Sequence, residues 1–319
     1  MRQGGSKMSL KIDAAAYSHI GVRANNEDNF YFNGVYMSRE QMNQGGQYSA
    51  SSTDKMQIYA VCDGMGGAEF GEEASLMTVT ELSKYQKECA QPDSSVHLDE
   101  MIDQLNRKVD GISLSKGMVS GSCGSTIAML MTNDYYYRTV HVGDSRIYRL
   151  RDGKLTQLTR DDSEVQRLLD NGQITREQAF MHPKSNVILR HLGMPLPEGG
   201  KLKPTVSERS DLVPGDRFLI CSDGLSDVMR DSLIGKVLGN GTPKEAAKAL
   251  VQTALRESES YGIDSDNVTV IVIDVADVGE RKNAMRRLQK LRVIQAASAL
   301  LTALSLGGIA YCIMQLIAR

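Results

Sequence analysis

Ile58-Tyr-Ala-Val-Cys-Asp63-Gly-Met-Gly-Gly67 sets five apolar residues directly before a carboxylate and a glycine-rich turn. A short apolar run bounded by turn residues reads as a strand buried on both faces, so the aspartate stands where that strand opens into a loop. The pattern recurs further along the chain. Asp144 follows His141-Val-Gly, Asp223-Gly224 follows Phe218-Leu-Ile-Cys-Ser, and Asp266-Asn267 precedes Val268-Thr-Val-Ile-Val. Ile127 to Met131, Thr139 to Val142, Ile147 to Leu150, Phe218 to Cys221 and Val268 to Val275 join Ile58 to Cys62 as predicted strands. Asp152-Gly153, lying between Ile147-Tyr-Arg-Leu-Arg and Lys154-Leu-Thr-Gln-Leu, favours a tight hairpin with positive φ angles, which makes its strands antiparallel. Glu72 to Lys87, Leu98 to Val109 and Lys244 to Glu257 repeat apolar residues at three and four spacing, as helices covering one face of a sheet do. Strand runs with helices laid over them predict an α+β fold, a four-layer α/β/β/α sandwich of two antiparallel sheets.

Four aspartates at strand ends, joined by Glu27-Asp28 near the start, can converge at one edge of such sheets. Carboxylates gathered so closely repel one another and their pKa values rise, so a pocket of this kind needs divalent cations. Oxygen-only donors favour Mg²⁺ or Mn²⁺ over zinc, for which the chain offers no His or Cys cluster at ligand spacing. The bulk composition is that of a soluble globular protein, with 41% hydrophobic and 24% charged residues among 319. A net charge of −2 gives no global attraction to nucleic acid. Five cysteines, odd in number and without a CxxC pair, fit a reducing compartment, and Met1 to Ser9 carries no apolar stretch of signal-peptide length.

The wording and order of these segments resemble the protein phosphatase 2C family, the metal-dependent serine/threonine phosphatases (PPM), and its bacterial branch most closely. The matching stretches are Arg23-Ala-Asn-Asn-Glu27-Asp28, Asp63-Gly-Met-Gly-Gly67, Gly124-Ser-Thr126, Val142-Gly-Asp-Ser-Arg146, Leu158-Thr-Arg-Asp-Asp-Ser163, Ile188-Leu-Arg-His-Leu-Gly193, Cys221-Ser-Asp-Gly-Leu225 and Asp266-Asn-Val-Thr269. A single Ser-Asp-Gly-Leu says nothing; all eight in order across about residues 10 to 275 are specific. The resemblance implies hydrolysis of phosphoserine and phosphothreonine monoesters by a metal-activated water, with two Mn²⁺ or Mg²⁺ ions and room for a third. Carried over position by position, Asp63 would bridge two ions and Gly64 would offer its carbonyl to one of them. Asp223 and Asp266 would hold the other, while Glu27 and Asp28 would act through water. Asp144 with Asp223 would support the third ion, and Arg23 would bind the substrate phosphate.

Departures from the family pattern qualify this. Met65 stands where many animal members have a proton-donating histidine, which leaves that role to a water on the metal, as in the bacterial branch. Asp162 stands where the family often has histidine, and reads as surface decoration. Ser163 to Asn186 looks like the flap that bacterial members carry beside the metal pocket. His141, mid-strand, reads as a core or edge histidine, Cys62 and Cys221 as small apolar fillers, Tyr135 to Tyr137 as a hairpin tip with its strand, and the polar Gly45 to Thr53 as a loop.

The end of the chain breaks with the rest. Val293 to Ile317 contains no Asp, Glu, Lys, Arg or His, and as a helix would run roughly 37 Å at 1.5 Å per residue, against a hydrocarbon core of about 30 Å. Arg281, Lys282, Arg286, Arg287, Lys290 and Arg292 precede it with no acid among them, which keeps the larger part cytoplasmic and suits anionic lipid. The expected organisation is a flexible arm at 1–9, a phosphatase domain at 10–276, a basic juxtamembrane linker at 277–292 and a C-terminal transmembrane helix at 293–317. A single-pass anchor of this kind makes a membrane-associated serine/threonine kinase, or its phosphorylated substrates, the expected partner. Two rivals carry other functions. An inactive adaptor of the same fold is disfavoured because every expected ligand position keeps its carboxylate or glycine. A metal-dependent nuclease would need a basic groove around the acids, whereas the positive charge gathers at 281–292.

Overall fold

The computed structural model describes residues 10–66, 70–89, 98–180 and 182–278. The chain divides into two compact units, residues 11–275 and residues 1–10 with 276–319. The arm at 1–9, the span at 293–317 and all but the first two residues of the linker lie outside the described residues, as do Gly67 of the opening motif and Cys312. Among the described residues no helix is long and apolar enough to cross a membrane.

In chain order the strands are β1 (Leu10–His19), β2 (Asp28–Phe32), β3 (Val35–Tyr36), β4 (Gly46–Ser52), β5 (Gln57–Met65), β6 (Gly124–Ser125), β7 (Ile127–Thr132), β8 (Tyr136–Val142), β9 (Arg146–Arg151), β10 (Lys154–Gln157), β11 (Thr205–Val206), β12 (Ser210–Asp211), β13 (Arg217–Cys221) and β14 (Val268–Asp277). The helices are α1 (Arg39–Met42), α2 (Phe70–Cys89), α3 (Leu98–Ser115), α4 (Glu164–Asp170), α5 (Arg176–Ala179), α6 (Asp223–Ser226), α7 (Asp231–Leu238) and α8 (Pro243–Tyr261). One sheet runs β10-β9-β13-β14-β1-β4 and the other β11-β8-β7-β5-β2-β3, with β12 beside β8 and β6 beside β5.

The apolar run of β5 is explained by what lies on each side of it. Side chains alternate across a strand, so Ile58, Ala60 and Cys62 meet Ala74, Val79 and Leu82 of α2 and Met101, Ile102, Leu105 and Val109 of α3. Tyr59 turns the other way, where its ring packs edge-on to Phe32 at 5.0 Å, and Phe32 packs in the same manner on Tyr48 of the opposite sheet. Tyr137 and Phe218 make a second edge-on contact between the sheets at 4.8 Å. On the far side Leu219, Cys221, Val270 and Val272 face Leu225, Ile234, Leu238, Leu250 and Val251 of the helices α6 to α8. Helices, sheet, sheet and helices thus stack in the four layers expected.

The six predicted strands and three predicted helices all form, each longer than expected, from one residue in β7 and β13 to six in α3. Asp152 (φ 51°) and Gly153 (φ 74°) both occupy the left-handed region, which sets Lys154 opposite Arg151. Helix α8 is closed at its start by a reciprocal pair of hydrogen bonds between Thr242 and Glu245, with Pro243 in the first turn, and at its end by Gly262 at φ 67°. One expectation fails. Gly45 to Thr53 is not a loop, because Gly46–Ser52 forms β4 and pairs with β1 from Ser18↔Gly46 to Ile12↔Ser52. Lying at the sheet edge with much of its length exposed, β4 needs no apolar alternation; its backbone is satisfied by β1, and Ser51 donates its hydroxyl to Asp13.

Candidate active site

Strand β5 continues past its apolar run, so Asp63 sits within the sheet, directly opposite Asp28 on β2. Two like charges at facing positions destabilise a strand pair unless something offsets them. The Asp28 carboxylate is buried; its Oδ2 accepts a hydrogen bond from Ser222 Oγ at 2.7 Å, and its Oδ1 has no hydrogen-bond partner among the described residues. Ser222 directly follows β13 of the other sheet, and its hydroxyl in turn accepts the N–H of Thr269 at 3.0 Å. That hydroxyl therefore links the two sheets at the site. The Asp63 backbone is held by Thr126, whose Oγ1 accepts the Asp63 N–H at 2.9 Å and whose N–H donates back at 2.8 Å.

Gly64 is required by close approach. Its N–H donates to Glu27 O at 3.0 Å, and a Cβ there would lie 2.0 Å from the carbonyl oxygen of Gly71. Gly71, one residue into α2, leaves the space that the Glu27 carboxyl fills, since a Cβ on it would come within 2.6 Å of that group. The loop carrying Arg23 and Glu27 is shaped by Asn267, which accepts the Glu27 N–H at 2.8 Å and donates to Ile20 O and Asn25 O. At the rim Arg23 Nη2 pairs with Asp266 Oδ2 at 2.7 Å, both side chains about half exposed.

Asp223, half-buried at the opening of α6, lies beside the Asp63 carboxyl, an arrangement that two ionised groups cannot hold unaided. Burial, with Asp223, Asp28 and Asp144 nearby, pushes Asp63 well above the usual carboxylate range. Asp144 is driven up in the same way by burial and then by Asp223, Asp161 and Asp227, against the opposing charge of Arg146. Burial and Asp266 raise Glu27 to about 7 even though Arg23 pulls it down. All eight residues singled out in the sequence thus meet at one end of the two sheets, with Asp28 and Asp144 buried, Asp63 and Asp223 half-buried beside them, and Arg23, Glu27 and Asp266 towards the rim.

A cavity of about 660 Å³ opens from Asp144 and Asp223 beneath α4 and α5, bounded on the other side by α6 and α7. Asp227 lines it, and burial beside Asp223 raises its carboxyl to about 7. Sequence reading missed Asp227, although it follows Asp223 by four residues, one helical turn. Ser222 and Asn267 lie within two of the motifs, but no local pattern marks them as supports of the site. His141 is buried, with Nε2 bonded to Arg160 O at 2.8 Å, and Cys62 and Cys221 are fully buried, as expected of core residues. Asp162 is not surface decoration: its side chain is 13% exposed and holds Gly143 and Arg190.

The donors fit hard divalent cations. Among the described residues no three acidic, His or Cys side chains close on one point as a finished ligand set. Asp28 Oδ1 and Asp144 Oδ1, buried and without a hydrogen-bond partner among the described residues, and the neighbouring carboxyls of Asp63 and Asp223 are acceptors that a cation would satisfy.

Comparison with known proteins agrees with this geometry. The family model described as protein phosphatase 2C matches residues 37–259. The serine/threonine protein phosphatase PstP of Mycobacterium tuberculosis is 35% identical over 273 residues, 85% of this chain and 46% of PstP, so the chain spans about half the length of that curated relative. The serine/threonine phosphatase stp of Listeria innocua is 30% identical over 260 residues, 79% of this chain and 91% of stp. Among solved structures, the catalytic domain of PstP in complex with two manganese ions superposes with a TM-score of 0.63 at 33% identity, covering 84% of this chain and all of that one. Stp1 of Staphylococcus aureus gives 0.67 at 27% identity, covering 86% and 99%.

Proposed function

The chain belongs to the protein phosphatase 2C family, and from that premise we propose that it is a metal-dependent phosphoprotein phosphatase that hydrolyses phosphoserine and phosphothreonine monoesters. The observation that supports this reading is the gathering of Asp63, Asp223, Asp28 and Asp144 side by side, each raised by burial and by its acidic neighbours, with Arg23 at the rim. Asp63, the Gly64 carbonyl, Asp223 and Asp266 would hold two ions, Glu27 and Asp28 would act through intervening water, and Asp144 with Asp223 would take a third. Bound Mn²⁺ or Mg²⁺ supplies the charge that makes water nucleophilic near neutral pH and offsets charge on the phosphoryl oxygens. Arg23, a planar fork of donors at the mouth, orients the phosphate. Asp63 and Asp223 serve only as carboxylates, so a proton held between them must leave before the site works. Ser222 and Asn267 keep Asp28 and Glu27 in place.

Hydrolysis of a phosphothreonine peptide by the full chain in mild detergent tests this, with Mn²⁺, with chelator, and with Asp223→Asn. Turnover that requires the ion and falls about 100-fold or more in the variant is expected. A folded wild type that binds Mn²⁺ but releases no phosphate would favour the inactive adaptor.

Residues 293–317 read as a C-terminal single-pass anchor and 277–292 as a lipid-facing basic linker, supported by the uncharged run and the six preceding cations. The domain would then work at the cytoplasmic face on phosphorylated proteins confined to the same membrane, opposing a serine/threonine kinase there. Equal dephosphorylation in cells by an untethered variant would remove that partner.

A further inference from the structure

The flap leaves and re-enters the domain through two stretches joined at their base. Glu164 N–H donates to Val187 O at 2.8 Å and Leu189 N–H to Asp162 O at 2.7 Å, around a bridge between Ser163 and Ile188. Arg190 Nη1 adds an ion pair to Asp162 Oδ1 at 3.0 Å, while its Nη2 donates to Lys203 O. The second oxygen of Asp162 serves another part of the molecule. Oδ2 accepts the Gly143 N–H at 3.1 Å, and the Asp162 N–H donates to Gly143 O at 2.9 Å.

Gly143 directly precedes Asp144. It stands at φ 105°, and a Cβ there would lie 2.7 Å from Thr126 Cγ2, so the backbone is confined on its other side by the residue that holds Asp63. Asp144 is 5% exposed and its buried Oδ1 has no hydrogen-bond partner among the described residues, which leaves the direction of this carboxylate to its backbone. We propose that Asp162 is a positioning residue: it fixes the Gly143 peptide and so aims Asp144 into the pocket, and its pair with Arg190 ties that aim to the base of the flap. A carboxylate offers an acceptor edge to each partner, whereas a neutral histidine, frequent here in the resembling family, has a single acceptor nitrogen. The double link therefore needs an acceptor on each side of the position, which the Asp162 carboxylate supplies. The inference rests on the reading of Asp144 as a ligand for the third ion.

Titration calorimetry of Mn²⁺ into the full chain in detergent tests it, with thermal midpoints recorded for each variant. Asp144→Asn should abolish the weakest Mn²⁺ step. Asp162→Ala should weaken that same step about 10- to 100-fold while the tighter steps stay within about twofold, and should add nothing in the Asp144→Asn background. Asp162→Asn, which keeps an oxygen for Gly143, should bind nearer to wild type than Asp162→Ala. A merely structural role would lower the thermal midpoint with ion affinities unchanged, or weaken every step together; either result overturns the inference. Should Asp162→Ala not fold, Arg190→Met must weaken the weakest step alone, and unchanged affinity there is equally fatal. A wild type that binds no Mn²⁺ would sink the reading of the whole site, whereas normal wild-type binding with an unaltered Asp162→Ala sinks only this proposal.

Discussion

Asp63 and Gly64 show how far single residues could be read in advance. An acid at the end of an apolar run, followed by glycine, announces a carboxylate held by a rigid strand, but β5 runs on to Met65, so Asp63 and Gly64 lie within the strand and not in the turn expected, and the 2.0 Å approach to Gly71 O gives the glycine its cause. Replacing it, Gly64→Ala, should cost about 1–3 kcal/mol through forced displacement of α2, measured as a shift in the denaturant midpoint with the slope unchanged. Ser222 and Asn267 were not legible as support for the site. Their partners, Asp28 and the Ile20 to Glu27 loop, lie 194 residues or more away in sequence, and no local pattern marks a hydroxyl or amide that bonds across two sheets. Asp162 misled for a related reason: an acid between turn residues looks solvated until the chain that packs on it is known.

Strands and helices with a strong period were legible, because burial on one or two faces writes itself into the apolar spacing. Strand β4 was not, since an edge strand facing water carries no such record and Gly-Gln-Tyr-Ser-Ala-Ser-Ser resembles a loop in every local respect. The flap was anticipated only in outline, as helical turns broken by Gly and Pro, and resolves into α4 and α5 capped by Ser163 and Thr175. It roofs the cavity beside Asp144 and Asp223. Replacing residues 164–187 by a short linker is expected to alter the ranking of phosphopeptides while sparing turnover of a small aryl phosphate. An unaltered ranking would free the flap of any part in substrate choice.

At the scale of the molecule, a pocket of mutually repelling acids makes stability depend on pH in the reverse of the usual sense. Glu27 moves from 4.5 to about 7 on folding, and Asp63, Asp144 and Asp223 move in the same direction. Between those limits the folded chain holds more protons than the unfolded one, so the contribution present below about pH 4.5 is lost as pH rises through about 7. In chelator the melting temperature should therefore fall over that interval. Added Mn²⁺ should raise it, and by more at pH 8 than at pH 5, because ion binding displaces protons; an increment independent of pH would contradict this account. Removal of residues 279–319 belongs to this scale too: it should release the protein from the membrane fraction while leaving aryl phosphate turnover intact, and a truncated chain that still sediments with membranes would discard the anchor.

The hydroxyl of Ser222 on Asp28 and the guanidinium of Arg23 on Asp266 join positions 194 and 243 residues apart. Contacts of such separation form late, after shorter loops have closed, and synthesis delivers the N-terminal half first. A nascent chain on the ribosome consequently has no assembled acidic site until Asp266 has emerged and docked beside Arg23, so the site closes only when nearly all of residues 10–278 have been made.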